Sequence, residues 1–238
     1  MKVGVCLLVF IFSSACAQTS LPKFTANEIA DRVESLHGQS ASQQLSMVCE
    51  RTYTLDYHGF PESKHAEIKV RAEQNGAEKE FTITSESGSE VLRNKVLHKM
   101  IETEREVSTG SQRESSRLVR ANYDFTLIGT DVFENRPAYV LHVEPKMKSK
   151  VAWQGKIWVD AEDFAVVRAE GQPDKLSSWW TTHSEFVSTY QKIAQYWIPA
   201  KNVSDTRVRF GGHAHLVIDY GSCSVRGASN VASSHGDK

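Results

Sequence analysis

Between Tyr123 and Tyr220 the chain is a succession of short segments in which aromatic and β-branched residues alternate with charged ones, separated by turn residues. Side chains point to opposite faces along a strand, so each segment carries one apolar and one polar side. The connections have hairpin length, too short for the crossovers that parallel strands need. This stretch is therefore a multi-stranded antiparallel sheet. Its strands are Tyr123 to Thr130, Ala138 to Val143, Lys156 to Asp160, Phe164 to Glu170, Trp179 to Lys192, Gln195 to Pro199, Val203 to Phe210 and a return through Leu216, Ile218 and Tyr220.

The preceding residues add a helix, a meander and a second helix. Thr25 and Glu28 have the spacing of a capping box, and Ile29, Val33 and Leu36 follow at helical period until His37-Gly38. Leu45 to Tyr57 reads as a strand. In His65 to Gln74, Ala66, Ile68, Val70 and Ala72 share one side, and Asn75-Gly76 turns the chain into Lys79 to Thr84. Val91, Val96, Leu97, Met100 and Ile101 then mark a helix. Ser108 to Ser116 is small and polar, a mobile loop that serves either as a lid or as a plain connector, and Leu118-Val119-Arg120 resumes a short helix.

The sum is an α+β fold: a long curled antiparallel sheet of about ten strands, with two or three helices covering its concave face. Residues 24–225 make one domain, and 226–238 are a disordered tail.

Lys2, the apolar run from Val3 to Phe12 and the small residues Ala15-Cys16-Ala17 form an export signal, placing cleavage after residue 17. Ser14-Ala15-Cys16 also resembles a lipoprotein-processing site with Cys16 as the lipidated residue, although Ser13 stands where such sites prefer an apolar side chain. The chain is thus exported, with an anchor through Cys16 as the alternative. No later stretch is apolar enough to cross a bilayer as a helix. Cys49 and Cys223 remain after the signal; in an oxidising compartment they either bridge or sit as two small buried residues. With 28 basic and 29 acidic residues, and Lys2 leaving with the signal, the balance is 27 against 29, a net charge of −2. That argues against a nucleic-acid partner, which needs a basic patch.

No nucleophile elbow, phosphate loop or His-Glu-x-x-His motif is present, so neither catalytic residues nor a cofactor is expected. His213 and His215 fall on one face of a strand without the further ligands a zinc site requires. Ser87-Gly88-Ser89 reads as a helix-initiating turn, and Asp160, Glu162 and Asp163 as turn acids. Lys146, Lys148, Lys150 and Lys156 make a small basic strip, either solvated or drawn to anionic headgroups at a membrane periphery. The five tryptophans are the outliers. They are either core and belt residues or, in part, lining for an apolar ligand. The lining candidates are Trp158, Trp179, Trp180, Phe186, Tyr190 and Trp197 on the sheet, with Met100 and Ile101 on the helix. If Trp179 and Trp180 lie in a strand, they point to opposite faces.

Several runs carry a family resemblance: Asn122-Tyr123-Asp124-Phe125, Tyr139-Val140-Leu141 with Pro145-Lys146, residues 155–161 (Gly-Lys-Ile-Trp-Val-Asp-Ala), residues 167–171 (Val-Arg-Ala-Glu-Gly), residues 196–200 (Tyr-Trp-Ile-Pro-Ala) and Leu216 to Tyr220. Together they resemble bacterial outer-membrane lipoprotein-sorting proteins, a group sharing its fold with the periplasmic carrier and receptor of the LolA/LolB type and with a periplasmic regulator of envelope stress. The resemblance covers 24–225 and implies an unclosed half-barrel around helices, with an apolar cavity sheltering acyl chains. It implies a protein of the periplasm of a Gram-negative-type bacterium, binding an acyl chain, a lipid or a lipidated protein; the sequence leaves the oligomeric state open, with a monomer as the expectation. The alternative it implies is an envelope sensor or scaffold that docks a protein partner on the sheet. The buried arginine that ties down the carrier's lid has no matching position; Arg51 stands in a strand, in a different context.

Overall fold

The computed structural model describes residues 23–42, 46–76, 78–107, 114, 116–149, 151–176 and 179–226. The export signal with Cys16, the tail from 227 and the stretch 108–113 lie outside the described residues.

Ten strands pair into one antiparallel sheet. They are β1 (Ser46–His58), β2 (Lys64–Asn75), β3 (Glu78–Gly88), β4 (Tyr123–Phe133), β5 (Arg136–Pro145), β6 (Trp153–Asp160), β7 (Val166–Pro173), β8 (Thr181–Ile193), β9 (Tyr196–Val208) and β10 (Gly212–Arg226). The spatial order is β3-β2-β1-β10-β9-β8-β7-β6-β5-β4, so every adjacent pair in the sheet is consecutive in sequence except β1 and β10. β3 and β4 end the sheet without pairing to each other, which leaves the barrel open.

Alternation sets the faces as expected. In β2, Ala66, Ile68, Val70 and Ala72 are buried, whereas Glu67, Lys69 and Arg71 point away. The β4–β5 hairpin turns on Glu134 and Asn135, both with positive φ (47° and 62°), the twist that a two-residue hairpin favours. Gly155 and Gly171 face each other across β6 and β7; a Cβ on either would collide with a carbonyl oxygen of the neighbouring strand. Only glycine permits that close crossing.

Helix α1 (Ala26–Ser42) begins with the expected cap. The Thr25 amide donates to Glu28 Oε2 at 2.7 Å, and the Glu28 amide donates to Thr25 Oγ1 at 3.3 Å. Ile29 and Val33 pack on Tyr123, Tyr139, Leu141, Ile157 and Val159, so α1 covers the β4–β7 end of the concave face. The second helical stretch runs through α2 (Glu90–Leu92), a π turn (Arg93–Leu97) and α3 (His98–Val107). Its Leu97 and Ile101 pack on Tyr53, Leu55, Ile68 and Val70 at the other end. Between the two helical covers, β8 and β9 are mostly half-buried.

Cys49 and Cys223 are directly opposite on β1 and β10 and form a disulfide. Four local expectations differ. Trp179 and Trp180 sit in the turn before β8, not in a strand. Phe164 is likewise a turn residue, with φ of 55°. The two segments Gln195 to Pro199 and Val203 to Phe210 are one strand, β9; its polar centre at Lys201-Asn202 breaks the alternation, yet pairing to β8 and β10 continues through it. Leu118-Val119-Arg120 is a bend, not a helix, and the Asn122 side-chain amide holds it by donating to the carbonyls of Glu114 and Arg117.

Candidate functional site

The concave face holds a cavity of about 290 Å³ between the C-terminal part of α1, the 116–118 segment and strands β6 to β9. Leu36, Leu118, Trp153, Ile157, Ala165, Val166, Ala169, Tyr190 and Trp197 line it, with Ser116, Gln195 and Tyr196 as its polar members. Its size lies near the lower end of small-molecule sites, roughly 300–1,000 Å³. The strand period explains the lining, since Trp153 and Ile157 on β6 and Ala169 on β7 project to the side that α1 covers. Aromatic packing fixes Trp153: its ring meets Phe186 edge-on at 5.2 Å and lies 6.3 Å from Tyr123. Ala165 and Ala169 are small residues among large ones and leave the space unfilled. Burial raises the pKa of the Tyr190 hydroxyl, as desolvation disfavours a phenolate. The wall is thus predominantly apolar, with no charged side chain.

A polar knot lies on the same face under the other helical cover. Arg51 is 3% exposed and donates from Nη1 to Glu104 Oε1 at 2.9 Å. Lys79 Nζ reaches the same oxygen at 2.9 Å, and the Tyr53 hydroxyl donates to Glu104 Oε2 at 3.3 Å. The guanidinium also stacks 4.5 Å from the Tyr220 ring centre and 5.4 Å from that of Phe81. Burial opposes the charge on Glu104, yet Lys79 and Arg51 outweigh it and hold the carboxyl below its ordinary value. Burial, then the Glu104 charge, pushes Tyr53 up to about 12. The knot pins α3 to β1 and β3, and nothing in the local sequence around Arg51 announced it.

The structure distributes the eight residues predicted as ligand-binding. Tyr190 and Trp197 line the cavity, and Phe186 packs behind its Trp153 wall. Met100 and Ile101 belong to the cluster under α3. Trp158 lies on the opposite face of the sheet with Ala138, Val140 and Val167, donating from Nε1 to Asp131 at 2.9 Å beneath the Arg168 guanidinium. Trp179 and Trp180 stand at the rim, 66% and 46% exposed, with ring centres 4.1 Å apart. Leu36, Leu118, Ile157 and Ala169 were not named as lining candidates, and Trp153 was marked only as one of the five tryptophan outliers. Leu36 and Leu118 lie outside the strands, and Ala169 acts by being small.

The acids and histidines marked in the sequence have local partners. Asp160, 1% exposed, accepts from Arg136 and from the backbone amides of Glu162 and Asp163. Burial alone would raise its pKa; those hydrogen bonds outweigh it and keep the carboxyl low. His213 and His215 share Asp205 at 3.1 and 2.8 Å, and among the described residues no metal-binding group of three His, Cys, Asp or Glu occurs. A larger, open groove of about 670 Å³ includes His142, Glu144, Lys156, Glu170, Glu185 and Asp205, whose mixed charge offers no apolar enclosure.

No protein-family model and no curated protein matches the sequence. Among solved structures, the chain is similar to a DUF1329 family protein from Desulfovibrio piger, with 14% identity, 88% of this chain and 96% of that one covered, and a TM-score of 0.43. It is similar to a putative outer membrane lipoprotein-sorting protein domain from Vibrio parahaemolyticus, with 12% identity, coverage of 86% and 95%, and a TM-score of 0.42. A LolA superfamily protein from Nitrosomonas europaea gives 13% identity, coverage of 86% and 94%, and a TM-score of 0.36.

Proposed function

We propose that this protein is an exported, non-enzymatic binding protein of the cell envelope that shelters an acyl chain of a lipid or of a lipidated protein. The observation that carries this reading is the apolar cavity bounded by Trp153, Ile157, Ala169 and Tyr190 beneath α1. The disulfide between Cys49 and Cys223 accords with an oxidising compartment outside the cytoplasm, the periplasm of a Gram-negative-type bacterium in this reading. An acyl chain suits a site with an apolar wall and a few polar groups at one side. Each methylene leaving water contributes about 0.8 kcal/mol. The walls offer no charged partner for a headgroup, so selectivity rests on the chain and not on the head.

The test is native mass spectrometry and solvent extraction of the purified protein, followed by titration with a fatty acid and a phospholipid. Co-purifying lipid, or saturable uptake that raises the melting temperature, is expected. A lipid-free protein whose melting temperature neither ligand moves would sink the reading. Recovery of one stoichiometric protein partner without lipid would favour the sensor or scaffold instead.

A further inference from the structure

The two rims of the half-barrel differ in a way the cavity does not require. One rim collects the β1–β2 connection (59–63), the β5–β6 connection (146–152), the β7–β8 connection (174–180) and the β9–β10 turn (Arg209–Gly211), which the strand register brings to the same end of the sheet. Each of these four connections presents a large apolar side chain to solvent. Phe60 is 84% exposed, Met147 82%, Trp179 66% and Phe210 83%, with Leu176 and Trp180 also exposed. At the opposite rim the turns are centred on Asn75-Gly76, Glu134-Asn135, Glu162-Asp163 and Ala194-Gln195; the one large apolar side chain described in these connections, Phe164, is half-buried against Phe24 and Tyr139.

The exposed rings are held in place. Trp179 and Trp180 pack together, and Trp180 meets Phe210 edge-on at 5.7 Å. Arg209 ties the two connections: its Nε donates to the Trp179 carbonyl at 2.7 Å and its amide to the Trp180 carbonyl at 2.8 Å. The backbone is satisfied while the rings face outward, an arrangement with a standing cost in water. The same connections carry Lys146, Lys148, Lys175 and Arg209 against Glu62 and Asp174. The opposite turns carry Glu134, Glu162 and Asp163.

We infer that this rim docks the protein on the surface of an anionic lipid bilayer, with Phe60, Met147, Trp179, Trp180 and Phe210 entering the interface and the lysines and Arg209 meeting the headgroups. Two observations favour a bilayer over a folded partner. The apolar groups stand on four different connections along one edge of the sheet, with Trp179, Trp180 and Phe210 clustered and Phe60 and Met147 at the tips of the others. Tryptophan beside cations is also the composition that settles at the boundary between headgroups and acyl chains. Basic residues near such a surface add attraction that salt screens.

The inference stands apart from the cavity and is tested separately. The purified full chain is floated with vesicles of phosphatidylcholine alone and with phosphatidylglycerol added. Flotation with the anionic vesicles is expected, weakened by salt. The W179S/W180S/F210S variant should lose it at least about tenfold. K146E/K148E/K175E should lose binding selectively on the anionic vesicles. V132S, which removes an exposed apolar group from β4 away from this rim, should bind as wild type. Uptake of a fatty acid by the triple aromatic variant should persist, which separates rim from cavity. Should the aromatic variant misfold, F60S and M147S alone, each at an exposed tip, still decide the matter through a measurable weakening. Absence of flotation with either vesicle, flotation untouched by the rim substitutions, or a solution dimer that those substitutions dissolve would each overturn the inference.

Discussion

Arg51 and Glu104 are 53 residues apart in sequence and 2.9 Å apart in space, the first on β1 and the second on α3. Lys79 from β3 meets the same carboxylate oxygen, so one side chain of the helix gathers two strands. Removing Glu104 leaves Arg51, 3% exposed, as an uncompensated buried charge. Breaking a fully buried pair costs about 3–5 kcal/mol. Glu104 is 26% exposed, and solvent screening brings the expected loss for Glu104→Ala nearer about 2 kcal/mol. Urea unfolding measures it. Arg51→Met, which removes the charge and keeps the apolar stem, should cost less; an equal or greater loss would contradict this account.

Acid should dissolve the same contacts. Glu104 and Asp160 both have carboxyls held below their ordinary values in the folded protein. Unfolded, such groups titrate near about 4.3 and 3.9. A lowered folded value means that the unfolded chain takes up protons first, so these contributions are fully present above the unfolded values and vanish as pH falls through the folded ones. Stability should therefore be level near neutrality and decline below about pH 4–5. The decline should be shallower in Glu104→Gln and in Asp160→Asn. Unfolding midpoints taken stepwise from pH 7 to pH 3 decide this, and identical slopes in wild type and variants would remove these two groups from the explanation.

Filling the cavity should abolish uptake without dismantling the fold. Ala169 is 4% exposed and lines the space. Ala169→Leu places a branched side chain between Trp153 and Tyr190, and overpacking costs typically 1–3 kcal/mol. Fatty-acid binding, followed by titration calorimetry, should fall at least about tenfold. Unchanged binding in a folded variant would place the ligand elsewhere.

The Cys49–Cys223 bond closes a loop with a sequence separation of 174 residues. Long loops gain most from a cross-link in the chain-entropy view, with typical effects of about 2–4 kcal/mol. Reduction, or the double change Cys49→Ser and Cys223→Ser, should lower stability by that order, while the circular dichroism of the sheet persists. Loss of the sheet signal at neutral pH in the double variant would show that the bond is needed for folding itself.

The sheet was legible because its period is local. The run from Ala66 to Ala72 and the hairpin at Asn75-Gly76 each announce themselves within a few residues, and the Thr25–Glu28 cap is a four-residue pattern. The site was less so. Glu104 sits in the run Glu102-Thr103-Glu104-Arg105-Glu106, which reads as a solvated helix face, and only tertiary packing turns this one carboxylate toward Arg51. Trp158 shows the limit of alternation, which separates two faces without saying which of them looks inward. Trp179 and Trp180 look like strand residues by composition, but the strand starts at Thr181 and leaves them at the tip of a connection. Ala169 matters through what it lacks, and no residue pattern marks an absence.

The seam between β1 and β10 has a consequence for how the molecule comes to be. The three strands made early must wait for the very last one before β1 gains its second neighbour, because β1 pairs only with β2 and β10. A polypeptide made amino end first therefore keeps that edge of β1 open until its carboxyl end has followed. Assembly in this protein is expected to be slow and late, in keeping with pairings between distant segments, with that waiting strand exposed in the meantime.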